Sequence, residues 1–249
     1  MADSYSILSK WYDKLMDDFD YPSLTEYYCS AIKKYSEDLP KQILDLGCGT
    51  GSVSIILAEK GFDVTGIDIS SEMLSMAALK TNEQKLRVKY ACENMAYLDA
   101  GKGYGAAVCS LDGLNYLVDK EELSSCISRV ADALVSGGLF MFDVNTKYKY
   151  ENVYADNSYV YDLDDFFLVW QNYYKKSTSK CSFYLTFFEK KGKNWSRSDE
   201  VQIQKYYSEK TISRVLDENG FDILNISAGF DNTELSDKDE KHYYICKKR

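Results

Sequence analysis

One histidine in 249 residues, no cysteines spaced C-x-x-C, 30 basic residues against 39 acidic ones and no long apolar run set the first limits on this chain. A lone histidine without clustered cysteines excludes the common zinc sites, and no other metal site is expected. The net charge of −9 opposes a polyphosphate partner, so generic nucleic-acid binding is not expected. No stretch approaches the roughly 20 apolar residues of a membrane helix, and nothing resembles a signal peptide. A soluble, cytoplasmic protein is the expectation. Seven cysteines, an odd number, read as reduced thiols.

What is present is concentrated in one segment. Ile43-Leu44-Asp45-Leu46-Gly47-Cys48-Gly49-Thr50-Gly51-Ser52 is a short apolar strand that enters three alternate glycines and then a helical pattern. Glycine permits positive φ and lets a ligand touch bare backbone. The helix that follows presents unpaired N–H groups. Asp45, at the carboxyl end of the strand, would meet a cationic group and repel a phosphate. A dinucleotide fingerprint would place its third glycine where Ser52 stands, and a P-loop would require Lys followed by Ser or Thr. Neither is found. A hydrolase elbow fails too, because no serine occupies the centre of the turn.

Further strands follow. Phe62 to Asp68 ends in an acid that can accept ribose hydroxyls, although Asp68 could instead cap the helix near Ser70. Val88 to Met95 carries Asn94 and Met95 at its end. Tyr104 to Ser110 leads into Leu111-Asp112-Gly113-Leu114-Asn115-Tyr116-Leu117, whose polar groups should face the reacting centre, because ligands sit beyond the carboxyl ends of parallel strands.

The string Asp45-Leu46-Gly47-Cys48-Gly49-Thr50-Gly51 resembles the first motif of the class I S-adenosylmethionine-dependent methyltransferases. The resemblance implies that Asp45, Gly47 and Gly49 receive the amino-acid end of the cofactor and Asp68 the ribose. Asn94, where the family usually has an acid, would accept from the adenine amino group, more weakly than a charged acceptor. Met95 would lie near the ring. Cys48, Ile69 and Leu111 complete the implied cofactor contacts. For Cys48, a helix N-terminus would lower the thiol pKa, but small size accounts for its presence and no catalytic role is assigned. Trp11-Tyr12-Asp13 and Tyr21-Pro22 resemble the family's N-terminal lid, which would bring Tyr12 to the cofactor. The Leu-Asp-Gly-Leu-Asn-Tyr-Leu string is similar to small-molecule members that include the sugar-amine dimethyltransferases. No Asn-Pro-Pro-Tyr signature of nucleic-acid amine methyltransferases follows the fourth strand.

The rest of the chain agrees with an α/β fold of seven mostly parallel strands ending in an antiparallel hairpin. A helix is expected from Ser4 to Asp18, another opened by Pro22, a crossover helix from Glu121 to Val135 ended by Gly137-Gly138, and a fifth strand from Leu139 to Val144. From Ser158 to Tyr207 an aromatic, strand-like pattern predicts an inserted antiparallel sheet over Tyr159 to Tyr174, Cys181 to Lys190 and Glu200 to Tyr207. The implied organisation is a cofactor-binding core with its lid over 1–145, an inserted subdomain over 146–207, and completion of the core over 208–249. The insertion would cover a small-molecule acceptor, and a homodimer contact through it stays open. His242 reads as a surface or satisfied core residue.

The implied reaction is in-line displacement of the methyl group onto an amine, hydroxyl or carboxylate, leaving S-adenosylhomocysteine. Asp112 or Asp143 could take a proton or orient the substrate, and Tyr116 could hydrogen-bond it. A protein that binds the cofactor without turning it over is the alternative.

Overall fold

The computed structural model describes residues 7–230 and 233–249. Two short helices come first, α1 (Leu8–Leu15) and α2 (Tyr21–Tyr35). Asp20 caps α2 by accepting from the Ser23 amide at 2.9 Å, and Pro22 occupies its first turn, where a missing N–H costs nothing. The helix expected over Ser4 to Asp18 is confined to α1 among the described residues, and Ser4 itself lies outside them.

Strands and helices then alternate: β1 (Gln42–Leu46), α3 (Ser52–Glu59), β2 (Asp63–Asp68), α4 (Ser71–Glu83), β3 (Val88–Cys92), β4 (Tyr104–Cys109), α5 (Lys120–Ala133) and β5 (Leu134–Asn145). Four antiparallel strands follow, β6 (Ser158–Leu163), β7 (Phe166–Lys175), β8 (Lys180–Lys191) and β9 (Asn194–Lys205), then α6 (Glu209–Glu218), β10 (Phe221–Ser227) and β11 (Lys241–Lys248). The large sheet runs β10-β11-β5-β4-β1-β2-β3, and the small one β6-β7-β8-β9. In the large sheet β1 to β5 are parallel and β11 is antiparallel to both of its neighbours.

The large sheet is a middle layer because its strands are apolar on both faces. On one face Leu44, Cys109, Phe140, Phe142 and Tyr244 pack against Ile127 and Val130 of α5 and Val215 and Leu216 of α6. On the other, Ile43, Val108, Met141 and Ile245 meet Leu24, Tyr28 and Ile32 of α2 and Val53 and Leu57 of α3. A third cluster joins Leu8 and Met73 to Tyr150, Phe166, Leu168, Phe183 and Phe187, seating the inner face of the small sheet on α1 and the start of α4. Among the described residues no helix is long and apolar enough to cross a membrane.

Several boundaries differ from the sequence expectation for local reasons. The long aromatic run from Tyr159 to Tyr174 is two strands, folded back at Asp164-Asp165, so the insertion has four strands and not three. β9 begins at Asn194, because its first half is exposed and polar and carries no apolar alternation to read. The crossover helix stops at Ala133, and Leu134 is already extended as β5 begins. Gly137, with φ +76°, sits within the strand and does not end the helix.

Gly105 in β4 has no room for a side chain. A Cβ there would stand 2.3 Å from the Cβ of Pro40 and 3.2 Å from its Cα. Gly105→Ala is expected to destabilise the fold by about 1–3 kcal/mol, as overpacking does, read as a lower urea midpoint with an unchanged slope.

Candidate functional site

Beyond the carboxyl ends of β1, β2 and β4, where the connections diverge to opposite sides, lies a cavity of about 350 Å³. Its floor is the glycine turn. Gly47, Gly49 and Gly51 all have positive φ, at +63°, +54° and +80°, and a Cβ on Gly49 would enter open space. Bare backbone therefore faces the cavity here. A Cβ on Gly47 would lie 3.5 Å from the Met95 Cε in a conformation that side chains rarely adopt.

Asp45, Asp68, Glu93 and Glu122 line this space, and no lysine, arginine or histidine is among its described lining residues. Such a wall disfavours a phosphate and suits a cation. Asp45 is 1% exposed and accepts from the Ser54 hydroxyl at 2.5 Å. Burial pushes its carboxyl up to about 7, with Asp68 adding to the rise and the Ser54 hydrogen bond opposing it. Asp68 accepts from the amides of Gly49 at 2.9 Å and Ser70 at 2.8 Å, while Ser70, through its hydroxyl, caps α4. Asp68 thus fastens the turn and Asp45 the first turn of α3, and both keep lone pairs over for a ligand.

Cys48, Ile69, Asn94, Met95 and Leu111 line the same cavity. Asn94 spends part of its amide oxygen on the Ala96 N–H at 2.8 Å. Ile69 is 62% exposed at the rim. Cys48 departs from the helix-terminus argument: burial, with Asp45 and Asp68 nearby, raises its thiol well above the usual value, so it stays protonated.

Helix α1 closes one side. Tyr12 and Tyr21 line the cavity, and burial lifts Tyr12 well above, and Tyr21 to about 12, so both keep their protons at neutral pH. Asp13 takes a hydrogen bond from Thr50 of the glycine turn at 2.5 Å and an ion pair from Lys80 of α4 at 2.7 Å. Next to it Trp11 stacks on Phe166 at 4.5 Å and donates to Glu189 at 3.0 Å, both in the small sheet. One short helix therefore touches both the floor and the inserted sheet.

The groups expected at the reacting end divide. Tyr116 lines the cavity and donates to Gln202 of β9 at 3.1 Å. Asp112 and Asp143 stand behind the wall, outside the lining. Asp143 accepts from the amides of Leu111 at 2.6 Å and Asp112 at 2.8 Å, and its Oδ2 pairs with Lys241 at 2.7 Å. Asp112 pairs with the same lysine at 2.5 Å and accepts from Gln204 of β9 at 2.5 Å. Burial raises the Asp112 carboxyl, but Lys241 and Lys149 outweigh it and hold the pKa below the ordinary value. Of the two roles open to these carboxylates in the sequence, taking a proton or orienting the substrate, their engagement from within favours neither as a direct contact with the cavity. Leu111 and Asp112 both have φ +56°, a left-handed pair that costs roughly 1–2 kcal/mol per residue.

Lys241 and Gln204 were not legible as site residues. Each lies in a strand far along the chain, and only the pairing of Lys241 with Asn145 and of Tyr243 with Asp143 brings the lysine to the correct face. His242, next to it, is half-buried outside the cavity lining, 3.7 Å from Asp239, with burial lowering its pKa. Among the described residues, no three His, Cys, Asp or Glu side chains gather as a metal site.

Known proteins match this arrangement. The methyltransferase domain family matches residues 43–138. A relative from Geobacillus sp. (strain WCH70), whose name assigns it to the methyltransferases without an acceptor, is 32% identical over 98% of this chain and 100% of its own length. The crystal structure of an S-adenosylmethionine-dependent methyltransferase from Clostridium acetobutylicum ATCC 824 superposes with a TM-score of 0.88 at 30% identity, covering 98% of this chain and 99% of the other. A sugar N-methyltransferase from Streptoalloteichus sp ATCC 53650 shares the fold at a TM-score of 0.75 and 16% identity, over 98% of this chain and 93% of its own.

The raised pKa of Asp45 has a consequence for stability. A folded-state value near 7, above the unfolded carboxylate value, makes its contribution greatest at low pH and erodes it as pH rises towards 7. Asp45→Asn, which keeps the Ser54 hydrogen bond without the charge, is expected to melt several degrees above wild type at pH 8, with the gap closing towards pH 4.

Proposed function

The chain belongs to the S-adenosylmethionine-dependent methyltransferases, and on that premise we propose that it methylates a small-molecule acceptor, an amine first, by positioning and not by proton abstraction. The observation that carries this reading is the acidic cavity, without a cation among its described lining residues, over a floor of left-handed glycines. Its residues fit the cofactor. Asp45 would take the ammonium of the methionine portion, Gly47, Cys48 and Gly49 would offer backbone beside it, and Asp68 would take the ribose hydroxyls. Ile69, Asn94, Met95 and Leu111 would surround the adenine and thioether portions, and Tyr12 would lie across them.

When bound, S-adenosylmethionine supplies a methyl group already activated by positive sulfur, so the chain has to align a nucleophile and keep water out. Tyr12 and Tyr21, protonated, and Tyr116, fixed by Gln202, would orient an acceptor through their hydroxyls. With Asp112 and Asp143 engaged by Lys241, neither carboxylate is an open proton acceptor. An amine arriving neutral, or a carboxylate, needs none. We propose that residues 146–207 form the unit covering that acceptor, and seven unpaired thiols support a reducing, cytoplasmic setting.

Calorimetry with S-adenosylmethionine and S-adenosylhomocysteine tests the cofactor assignment. Wild type is expected to bind both, and Gly47→Val and Asp68→Ala to lose at least about tenfold in affinity, roughly 1.4 kcal/mol. A folded wild type that binds neither overturns the reading. Transfer of labelled methyl to a panel of amines, alcohols and carboxylates then ranks the acceptors.

The outward face of the small sheet carries Val160, Tyr173, Tyr184, Val201 and Ile203 exposed, with Tyr184 directly opposite Val201. This supports a homodimer contact there. Sedimentation velocity is expected to give a dimer for wild type and a monomer for Tyr184→Lys.

A further inference from the structure

Behind the cavity wall lies a buried charge cluster that binding a cofactor does not by itself require. The Lys241 ammonium sits between the carboxylates of Asp112 and Asp143, at 2.5 and 2.7 Å. Burial works against its charge, yet the two acids outweigh burial and keep it protonated. Lys149 and Tyr243 also act on the cluster, Gln204 reaches it from the small sheet, and Tyr12 lies within its field. The ion pairs themselves add little to stability, since desolvating ions offsets most of their attraction. The cluster therefore has to be explained by the geometry it imposes.

That geometry is the turn after β4. Leu111 and Asp112 are consecutive left-handed residues without a glycine between them, and both of their amides point into the single carboxylate of Asp143. Leu111 and, two residues on, Gly113 face the cavity, so the strained turn forms part of its wall. Asp143 grips the turn from below, and Lys241 ties Asp143 to the side chain of Asp112, a member of the turn itself. Gln204 extends the tie: its amide nitrogen donates to Asp112, and its oxygen accepts from Asn145 and Tyr150. The lysine thus closes a loop of contacts that includes the strained backbone, the fifth strand and the inserted sheet.

We propose that Lys241 is a positioning residue for methyl transfer, holding the Leu111-Asp112 turn in the strained form that shapes the cavity wall; this rests on the methyltransferase reading of the cavity. It contacts no reacting atom. Its effect runs through Asp143 and Asp112, and a charged, multiply donating side chain is what the position requires.

The test compares wild type, Lys241→Met and Lys241→Arg by two measurements, hydrogen exchange of the 111–113 amides and calorimetric binding of S-adenosylhomocysteine. Because removing the lysine leaves two carboxylates facing each other, the charge-matched double variant Lys241→Gln with Asp112→Asn is included and decides the matter if Lys241→Met does not fold. Without the lysine, exchange should quicken at 111–113 and not along β4 and β5, and affinity should fall about tenfold. Lys241→Arg should restore most of both. Wild-type affinity and protection in the variants without lysine overturn the proposal. So does exchange that quickens equally along β4 and β5, the signature of a merely structural residue. Failure of wild type to bind would instead count against the cofactor assignment, so the two failures are distinguishable.

Discussion

Between β1 and β4 the crossover connections leave towards opposite faces of the sheet, and the gap this opens at the strand ends is the constraint on which the site depends. Strand ends cannot fill that space themselves. Their last residues and the turns that follow must therefore line it, which is why Asp45, Asp68 and Leu111, distant in sequence, share one wall. The glycine turn follows from the same constraint, because the chain has to reverse from β1 into α3 within a few residues while leaving its backbone open to a ligand. Three left-handed positions in five residues achieve this where side chains would obstruct both the turn and the cavity.

Two kinds of carboxylate serve the site, separated by how each is compensated. Asp45 is buried with hydroxyl and amide partners on Ser54 and no paired cation among the described residues. Asp143 is as deeply buried, at 1% exposure, but it is fully engaged by two amides and an ammonium from within. The first faces the cavity and the second is used up in construction. A short sequence distance from a strand end does not tell these apart, since both acids stand close to the carboxyl ends of parallel strands. Their partners do, and those partners come from α3 in one case and from the turn after β4 and the last strand in the other.

This difference explains how far the sequence could be read. The core sheet, its order of strands and helices and the cavity wall rest on local signals: apolar runs, glycine at alternate positions, acids at strand ends and helix openers such as Pro22. The reversal at Asp164-Asp165 was hidden because aromatic residues flank it on both sides and keep the strand pattern unbroken. The engagement of Asp112 and Asp143 was hidden for a deeper reason. It depends on β11 pairing with β5 in one register, so that Lys241 meets Asn145 and not its neighbour. A one-residue slip would put the lysine on the other face.

Helix α1 has a consequence for how the molecule comes into being. Trp11 of this helix reaches Phe166 and Glu189, and Asp13 reaches Thr50 and Lys80, all of them later in the chain. The Asp13 side of the helix rests on the glycine turn and α4, which precede the inserted sheet in the chain, whereas its Trp11 side is covered only when that sheet has folded. The cavity is thus closed on that side by a helix whose seat is assembled from segments distant from one another in the chain, the glycine turn, α4 and the inserted sheet.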